Sequence, residues 1–172
     1  RTMAVNGTMT ARWPKAKLIT NEKIKAGNVI VGLAGFGQAN YETSYNSGLA
    51  SNGLTSARHD ILHKTYGARF PESYDTALDE SVVYIGPHRI TDEIKDGKRT
   101  TTIGDLLLSP TRTFAPVMKE LLENHFDAIN GLVHCSGGGQ TKCLKFVSDN
   151  VRIVKDNLFE PPIIFKLIQE AS

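Results

Sequence analysis

Three successive glycines close the run His134-Cys135-Ser136-Gly137-Gly138-Gly139. Glycine loses more backbone freedom on folding than any other residue, so three together need a reason. The run lies between an apolar stretch, 128–133, and a helix-like stretch that starts near Thr141. A glycine turn that opens a helix lets backbone N–H groups approach an anion, with the helix dipole behind them. Ser51-Asn52-Gly53 repeats this design ahead of a second helix-like run. Two such loops suggest a phosphorylated ligand. The alternative reading is two ordinary loop-to-helix caps.

His134 ends the apolar stretch just before the glycines. It is placed to hydrogen-bond a phosphate or to act as an acid or base; a packed strand-end histidine is the other reading. Cys135 has no visible arrangement that would lower its thiol pKa, so it reads as a small buried packing residue, and Cys143 as core. Arg112 sits at the start of the strongest helix pattern, where a cation opposes the helix dipole. It is therefore expected to pair with a carboxylate such as Asp105 or with a ligand phosphate. His59 and His63 lie four apart on a helix, a spacing that can hold a metal. No glutamate stands between them in the HExxH manner and no third ligand is evident, so they read as a polar helix face and no metal site is expected. No residue stands out as the chemical base.

The remaining glycine motifs are weaker. Gly32, Gly35 and Gly37 follow a strand-like run, but the spacing is GxxGxG and no helix opens behind it, which argues against a dinucleotide fold. Gly-Gly-Gln-Thr-Lys at 138–142 lacks the spacing of a phosphate-binding P-loop.

The elements that position these residues alternate in type. Met3, Val5, Met9, Ala11 and Trp13 share one face of a period-two pattern that Pro14 ends. Residues 28–33 and 128–133 read as strands, with shorter ones at 151–154 and 81–85. A Gly-, Ser-, Asn- and Tyr-rich loop spans about 34–49. Leu54, Ala57, Ile61 and Leu62 share a helix face, with Gly67 as its stop. Lys95 to Lys98 looks like a hairpin tip. Phe114, Val117, Met118, Leu121 and Leu122 form the clearest helix, with Ser109 or Thr111 as cap and Pro110 near its first turn. Thr141 to Val147 reads as a short helix. Pro161-Pro162 starts a last one with Ile163, Ile164, Leu167 and Ile168 on one face. The mixture predicts an α+β or mixed α/β domain.

Composition limits the function classes. The chain has 172 residues, 40% hydrophobic and 22% charged, enough for one globular domain with a core. A net charge of +2 with no lysine or arginine block offers no footprint for nucleic acid. No apolar run approaches the roughly 18 residues of a membrane helix, so no membrane partner is expected. Two cysteines make no disulfide framework, which suits a reducing, cytoplasmic setting. The chain opens inside a strand pattern and stops just after an amphipathic helix pattern, so it reads as a piece of something longer.

The motifs converge on a family. The chain resembles the aminoimidazole ribonucleotide synthetases, also called phosphoribosylformylglycinamidine cyclo-ligases. The matching runs are Ser47-Gly48-Leu49-Ala50-Ser51-Asn52-Gly53, Leu107-Leu108-Ser109-Pro110-Thr111-Arg112, Gly131-Leu132-Val133-His134-Cys135-Ser136-Gly137-Gly138-Gly139, and Pro161-Pro162-Ile163-Ile164-Phe165-Lys166-Leu167-Ile168-Gln169. The Ser-Asn-Gly and Gly-Gly-Gly loops are shared with wider relatives such as formylglycinamidine synthetase; the other two runs look more specific.

The resemblance implies an ATP-dependent ligase of purine biosynthesis that closes the imidazole ring of formylglycinamidine ribonucleotide. It implies that 1–13 is the last strand of a preceding ATP-binding domain. Residues 14–172 would then be most of the C-terminal domain, a mixed sheet packed with helices and incomplete at its end. ATP and Mg²⁺ would be held mainly by the preceding domain, and the full-length protein would be a homodimer. The chain alone would be inactive, with sheet edges and apolar surface exposed. Ser51, Asn52, Gly53, His134, Gly137, Gly138 and Gly139 would bind substrate or phosphate, with Arg112 a further contact. Two departures stand out: Ala50 occupies a position where the family often has histidine, and 68–105 is longer than usual, as an insertion would be. Two other readings are a different ATP-dependent relative and a non-catalytic anion-binding regulatory domain.

Overall fold

The computed structural model describes residues 7–51 and 53–172. The chain divides into two compact units, one of Ala34–Arg112 with Phe159–Ser172, the other of 7–33 with Thr113–Leu158.

The first unit is built around helix α1, Leu54–Ile61, which follows Gly53 at φ 80°. Ala57 and Ile61 lie on its buried face, at 4% and 0% exposure. A helix end leaves carbonyls without partners. Here a return segment supplies donors: Ile85 N–H donates to the His59 carbonyl at 2.8 Å, and Gly86 and His88 N–H donate to Leu62 and Ile61 at 3.0 Å each. Gly86 is required by this clasp, because an added Cβ would stand 2.1 Å from the Ile61 carbonyl carbon. The helix therefore stops earlier than the sequence predicts. Gly67 does not end α1 but is buried inside a separate short helix, α2, Thr65–Arg69.

The hairpin expected at Lys95–Lys98 is present. Strands β1, Glu93–Asp96, and β2, Arg99–Thr102, pair antiparallel with Glu93 opposite Thr102. Gly97 turns the chain at φ 62°. Helix α3, Ile103–Leu107, starts directly from β2: the Thr102 side chain accepts from Asp105 N–H, and Asp105 reaches back to Thr102 N–H. This reciprocal cap satisfies two helix-end donors. Helix α5, Ile163–Ala171, begins after Pro162 as predicted and packs on α1. Ile61, Ile103 and Ile164 at 0%, Leu106 at 1% and Tyr84 at 2% exposure form the centre of the core. Val83, Tyr84 and Ile103 come from 68–105, so the stretch read as an insertion carries core residues.

In the second unit, helix α4 spans Ala115–Asn124. Its half-buried stripe of Phe114, Val117, Met118, Leu121 and Leu122 matches the predicted spacing. It starts later than expected, with Phe114 at the N-cap position and Pro116 in the first turn, so neither Ser109 nor Thr111 caps it. Tight 3₁₀ turns cover Lys15–Lys17, Phe126–Ala128 and Gly139–Phe146, the last matching the helix expected at Thr141.

The predicted strands largely fail. Among the described residues the β-structure is the β1–β2 pair plus two isolated bridges, Gly37 with Asn46 and Leu62 with His88. Residues 28–33, 128–133 and 151–154 make no ladder, and 81–85 opens as a 3₁₀ turn at Glu80–Val82. Residues 7–13 are exposed and unpaired; the rest of that first strand pattern, 1–6, lies outside the described residues. The architecture is thus mixed α and β, without the broad sheet that was expected. The reason is that apolar pattern supplies strand propensity while a strand needs a neighbour to accept its N–H and C=O groups. Val29 and Val31 remain 85% and 78% exposed.

Candidate functional site

The loop that leads into α1 is tied through Asn46 and Ser47 to α3 and the segment after it. Asn46 bridges backbone to backbone with Gly37, each N–H donating to the other's carbonyl at 2.9 Å. Its side chain accepts from Gly48 N–H at 2.8 Å and donates to the Pro110 carbonyl at 2.6 Å. Ser47 is fully buried; its N–H donates to Ser109 Oγ at 2.9 Å and its hydroxyl to the Leu106 carbonyl at 2.6 Å. These bonds hold left-handed backbone in place. Gly48 lies at φ 81° and Gly53 at 80°, and Ala50 adopts φ 56°, a region that residues with a Cβ avoid. Ser51 is exposed in this loop. Asn52 lies outside the described residues.

Arg112 meets this loop from the other end. Its Nε and Nη2 donate to the two Glu42 oxygens at 2.7 Å each. Nη1 donates to the carbonyls of Ala34 at 2.6 Å and Phe36 at 2.8 Å, and Nη2 to that of Gly37 at 2.8 Å. A guanidinium has five N–H donors, and all are committed here. Its side chain is 7% exposed. The hydrogen bond from Arg112 holds the Glu42 carboxyl below its ordinary range, with Ala39 N–H adding to the effect. The same bond raises Arg112 further. The carboxylate partner expected for Arg112 is therefore Glu42 and not Asp105, whose carboxylate serves the α3 cap. In this conformation the arginine has no donor left for a phosphate.

The glycine loop belongs to the second unit and is supported differently. Gly138, at φ 86°, precedes the 3₁₀ turns of Gly139–Phe146, and Gly139 lies at φ 50°. Lys142 Nζ donates to the Gly137 carbonyl at 3.1 Å. Lys155 Nζ donates to both the Gln140 backbone oxygen and, at 3.0 Å, its side-chain oxygen. Asn21, at φ 67°, acts as a one-residue strand partner for Leu132: its Oδ1 accepts from Leu132 N–H at 2.9 Å and its Nδ2 donates to Leu132 O at 3.3 Å. Gly131 makes room, since a Cβ there would lie 2.4 Å from Ile24 Cδ1.

The structure thus brings Ser51, Gly53 and Arg112 into one unit, and His134 with Gly137–Gly139 into the other. His134 and Cys135 are exposed and Cys143 half-buried, so neither cysteine is the core residue expected. The glycine loop has no buried layer beneath it to receive them. His59 is the converse correction: it is not on a polar face but buried, with Nδ1 accepting from Tyr84 N–H at 3.2 Å. Burial lowers its pKa, with Arg58 adding to the effect and Asp60 opposing it. Among the described residues no cluster of three or more His, Cys, Asp or Glu is arranged to hold a metal. No helix among them is long and apolar enough to cross a membrane. Two open grooves, of about 360 and 420 Å³, are lined by residues such as Asn21 and Lys145 in one and His63 and Gly86 in the other; neither includes a predicted site residue.

Sequence reading missed Glu42, Asn46, Ser109, Lys142, Lys155 and Asn21 as supports. Asn46 and Ser109 carry a local signal, a short polar side chain beside a glycine or proline turn. Glu42, at sequence separation 70 from Arg112, carries none.

No family model matches the chain. It is 35% identical over 164 residues, 95% of its length, to the phosphoribosylformylglycinamidine cyclo-ligase of Methanocaldococcus jannaschii. It is 32% identical over 152 residues to the enzyme of that name from Methanopyrus kandleri, covering 88% of the chain. For that of Bacillus cereus the figures are 29% over 166 residues and 92%. The aligned part is 36%, 32% and 36% of these relatives, so the chain spans about a third of their length. The chain is a homologue of the phosphoribosylformylglycinamidine cyclo-ligases, related to a stretch amounting to about a third of each.

Proposed function

We propose that this chain is the substrate-holding part of an ATP-dependent cyclo-ligase that converts formylglycinamidine ribonucleotide to aminoimidazole ribonucleotide. The observation that carries the proposal is the match over 95% of the chain to a cyclo-ligase. The geometry supports it: left-handed glycines stand directly ahead of helical turns at Gly53 and Gly138, where backbone N–H groups lack intrahelical acceptors and favour an anion. Ser51, Asn52 and Gly53 form one phosphate- or substrate-binding loop, Gly137, Gly138 and Gly139 the other, and His134 adds a polar contact.

In the proposed reaction the γ-phosphoryl of ATP moves to the formyl amide oxygen, releasing ADP. The amidine-side nitrogen attacks the activated carbon, the carbon–oxygen bond breaks, phosphate leaves with that oxygen, and the nitrogen loses a proton. This chain contributes by holding the two reacting groups of one ribonucleotide together, which is the proximity advantage. ATP, Mg²⁺ and the homodimer contacts are assigned to the portion of the relatives that this chain does not span. The described residues offer no cluster of three or more His, Cys, Asp or Glu to hold a metal. Residues 14–172 are proposed as most of the C-terminal domain.

The test is an assay of the protein carrying this chain with formylglycinamidine ribonucleotide, ATP and Mg²⁺, following aminoimidazole ribonucleotide and ADP. Equal yields of both are expected, and Asn52→Ala or Gly138→Val should abolish turnover. ATP hydrolysis without ring closure would indicate a relative acting on another substrate. Unchanged turnover in both variants would overturn the site.

A further inference from the structure

The run 109–112 grips the loop before α1 at several points. Ser109 Oγ accepts from Ser47 N–H, the Pro110 carbonyl accepts from Asn46 Nδ2, and Arg112 holds the Gly37 carbonyl while Gly37 pairs with Asn46. Three carbonyls, of Ala34, Phe36 and Gly37, converge on the guanidinium. Gly37 at φ 88° permits that convergence. Carbonyl oxygens crowded together repel unless a cation gathers them, and Glu42 balances the charge that results. The backbone they secure includes a strained residue: Ala50, which carries a Cβ, lies at φ 56° two residues after Gly48 at φ 81°, where glycine sits without strain. Such strain persists only where its surroundings over-determine it. Neither Arg112 nor Glu42 belongs to the apolar core cluster.

We infer that the Arg112–Glu42 pair is a positioning device for the loop residues 46–51: it sets their shape through Gly37 and Asn46, and so sets affinity for the ribonucleotide without touching it. The functional half of this inference rests on the cyclo-ligase reading; the structural half does not. Lysine cannot replace Arg112, because it offers a point charge with three donors in place of a planar fork.

The experiment compares Arg112→Lys and Glu42→Gln with the unaltered protein. Amide hydrogen exchange by mass spectrometry reads 46–51 against 54–61 and 103–107. Exchange in 46–51 should rise about tenfold or more, as expected for losing charge-assisted bonds, while α1 and α3 keep their protection. Glu42→Gln, which keeps the shape of the side chain, should show the smaller change and guards against an Arg112 variant that does not fold. In turnover, KM for the ribonucleotide should rise roughly tenfold with kcat nearly unchanged, the mark of lost ground-state binding. Unchanged exchange in 46–51 would overturn the inference. So would equal loss of protection in 103–107, which would make the pair a general stabiliser. A fall in kcat at constant KM would also overturn it, because the arginine would then act on the reacting groups. If the unaltered protein forms no aminoimidazole ribonucleotide, the cyclo-ligase reading fails and the exchange comparison alone decides the clamp.

Discussion

The two glycine loops share turn chemistry and differ in what stands behind them. In the first unit the loop before α1 is anchored through buried Asn46, Ser47 and Ser109 to a core whose central residues are fully buried. In the second unit the loop before Gly139–Phe146 is braced by lysine ammonium groups, and no described residue of that unit is buried. Apolar side chains there stay in water, with Val29 at 85%, Val31 at 78% and Leu158 at 60% exposure. A left-handed glycine ahead of a helix is thus a local device that either kind of support can present. Rigidity is not local: it comes from buried partners that cost more to expose.

The largest effects should confirm that asymmetry. Gly86→Ala places a Cβ against the Ile61 carbonyl, where backbone meets backbone and neither can turn aside. It should lower the stability of the first unit by about 3 kcal/mol, measured by urea titration. Gly35→Ala, with nothing within 4 Å of its Cβ, is the control. Ile103→Ala, at 0% exposure, should cost about 2–5 kcal/mol. Val31→Ala should change stability by less than ~0.5 kcal/mol. A loss at Val31 as large as that at Ile103 would break the comparison, since it would reveal burial in the second unit.

What was legible in the sequence follows the same division. α4, α5 and the β1–β2 hairpin were readable because their signals are local: a helical stripe from Phe114 to Leu122, Pro161-Pro162 ahead of an apolar face, and a Lys-Asp-Gly-Lys tip. The C-terminal end of α1 and the burial of His59 were not, because both depend on Tyr84 to His88 returning from more than twenty residues away. The strands at 28–33 and 128–133 failed for the opposite reason, a correct local pattern without a partner. In the candidate site Ser51, Gly53 and Gly137–Gly139 were singled out from glycine chemistry, and the left-handed backbone at Gly53, Gly138 and Gly139 agrees with that turn chemistry. The binding partner of Arg112 was missed because nothing in the sequence marks Glu42.

A middle-sized effect concerns acid. His59 has its pKa lowered from 6.5 by burial, so the unfolded chain binds its proton more readily than the folded one. Its contribution is present above about pH 6.5 and declines as pH falls below that value toward the native pKa. Glu42, lowered from 4.5, also favours the fold at higher pH, but its contribution is lost only below about pH 4.5. Melting temperature followed from pH 7.5 down to about 2.5 should therefore fall in two stages. His59→Asn, whose Oδ1 can replace Nδ1 as acceptor for Tyr84 N–H, should remove the upper stage and keep the lower. An unchanged upper stage would assign it to another group.

The smallest effect is at the second loop. Lys155→Met keeps most of the aliphatic stem and removes the ammonium that bonds both oxygens of Gln140. Because the site is solvent-facing, the stability change should stay within about 0.5 kcal/mol. The local change should be visible all the same: amides of 137–140 should exchange faster, and raising the salt concentration should reproduce part of that in the unaltered protein, since exposed charge contacts are screened. The Arg112 clamp should resist the same salt, being a bidentate pair at 7% exposure. Equal salt sensitivity in 46–51 and 137–140 would mean that both loops rest on surface electrostatics, and the contrast between a wired loop and a braced one would be lost.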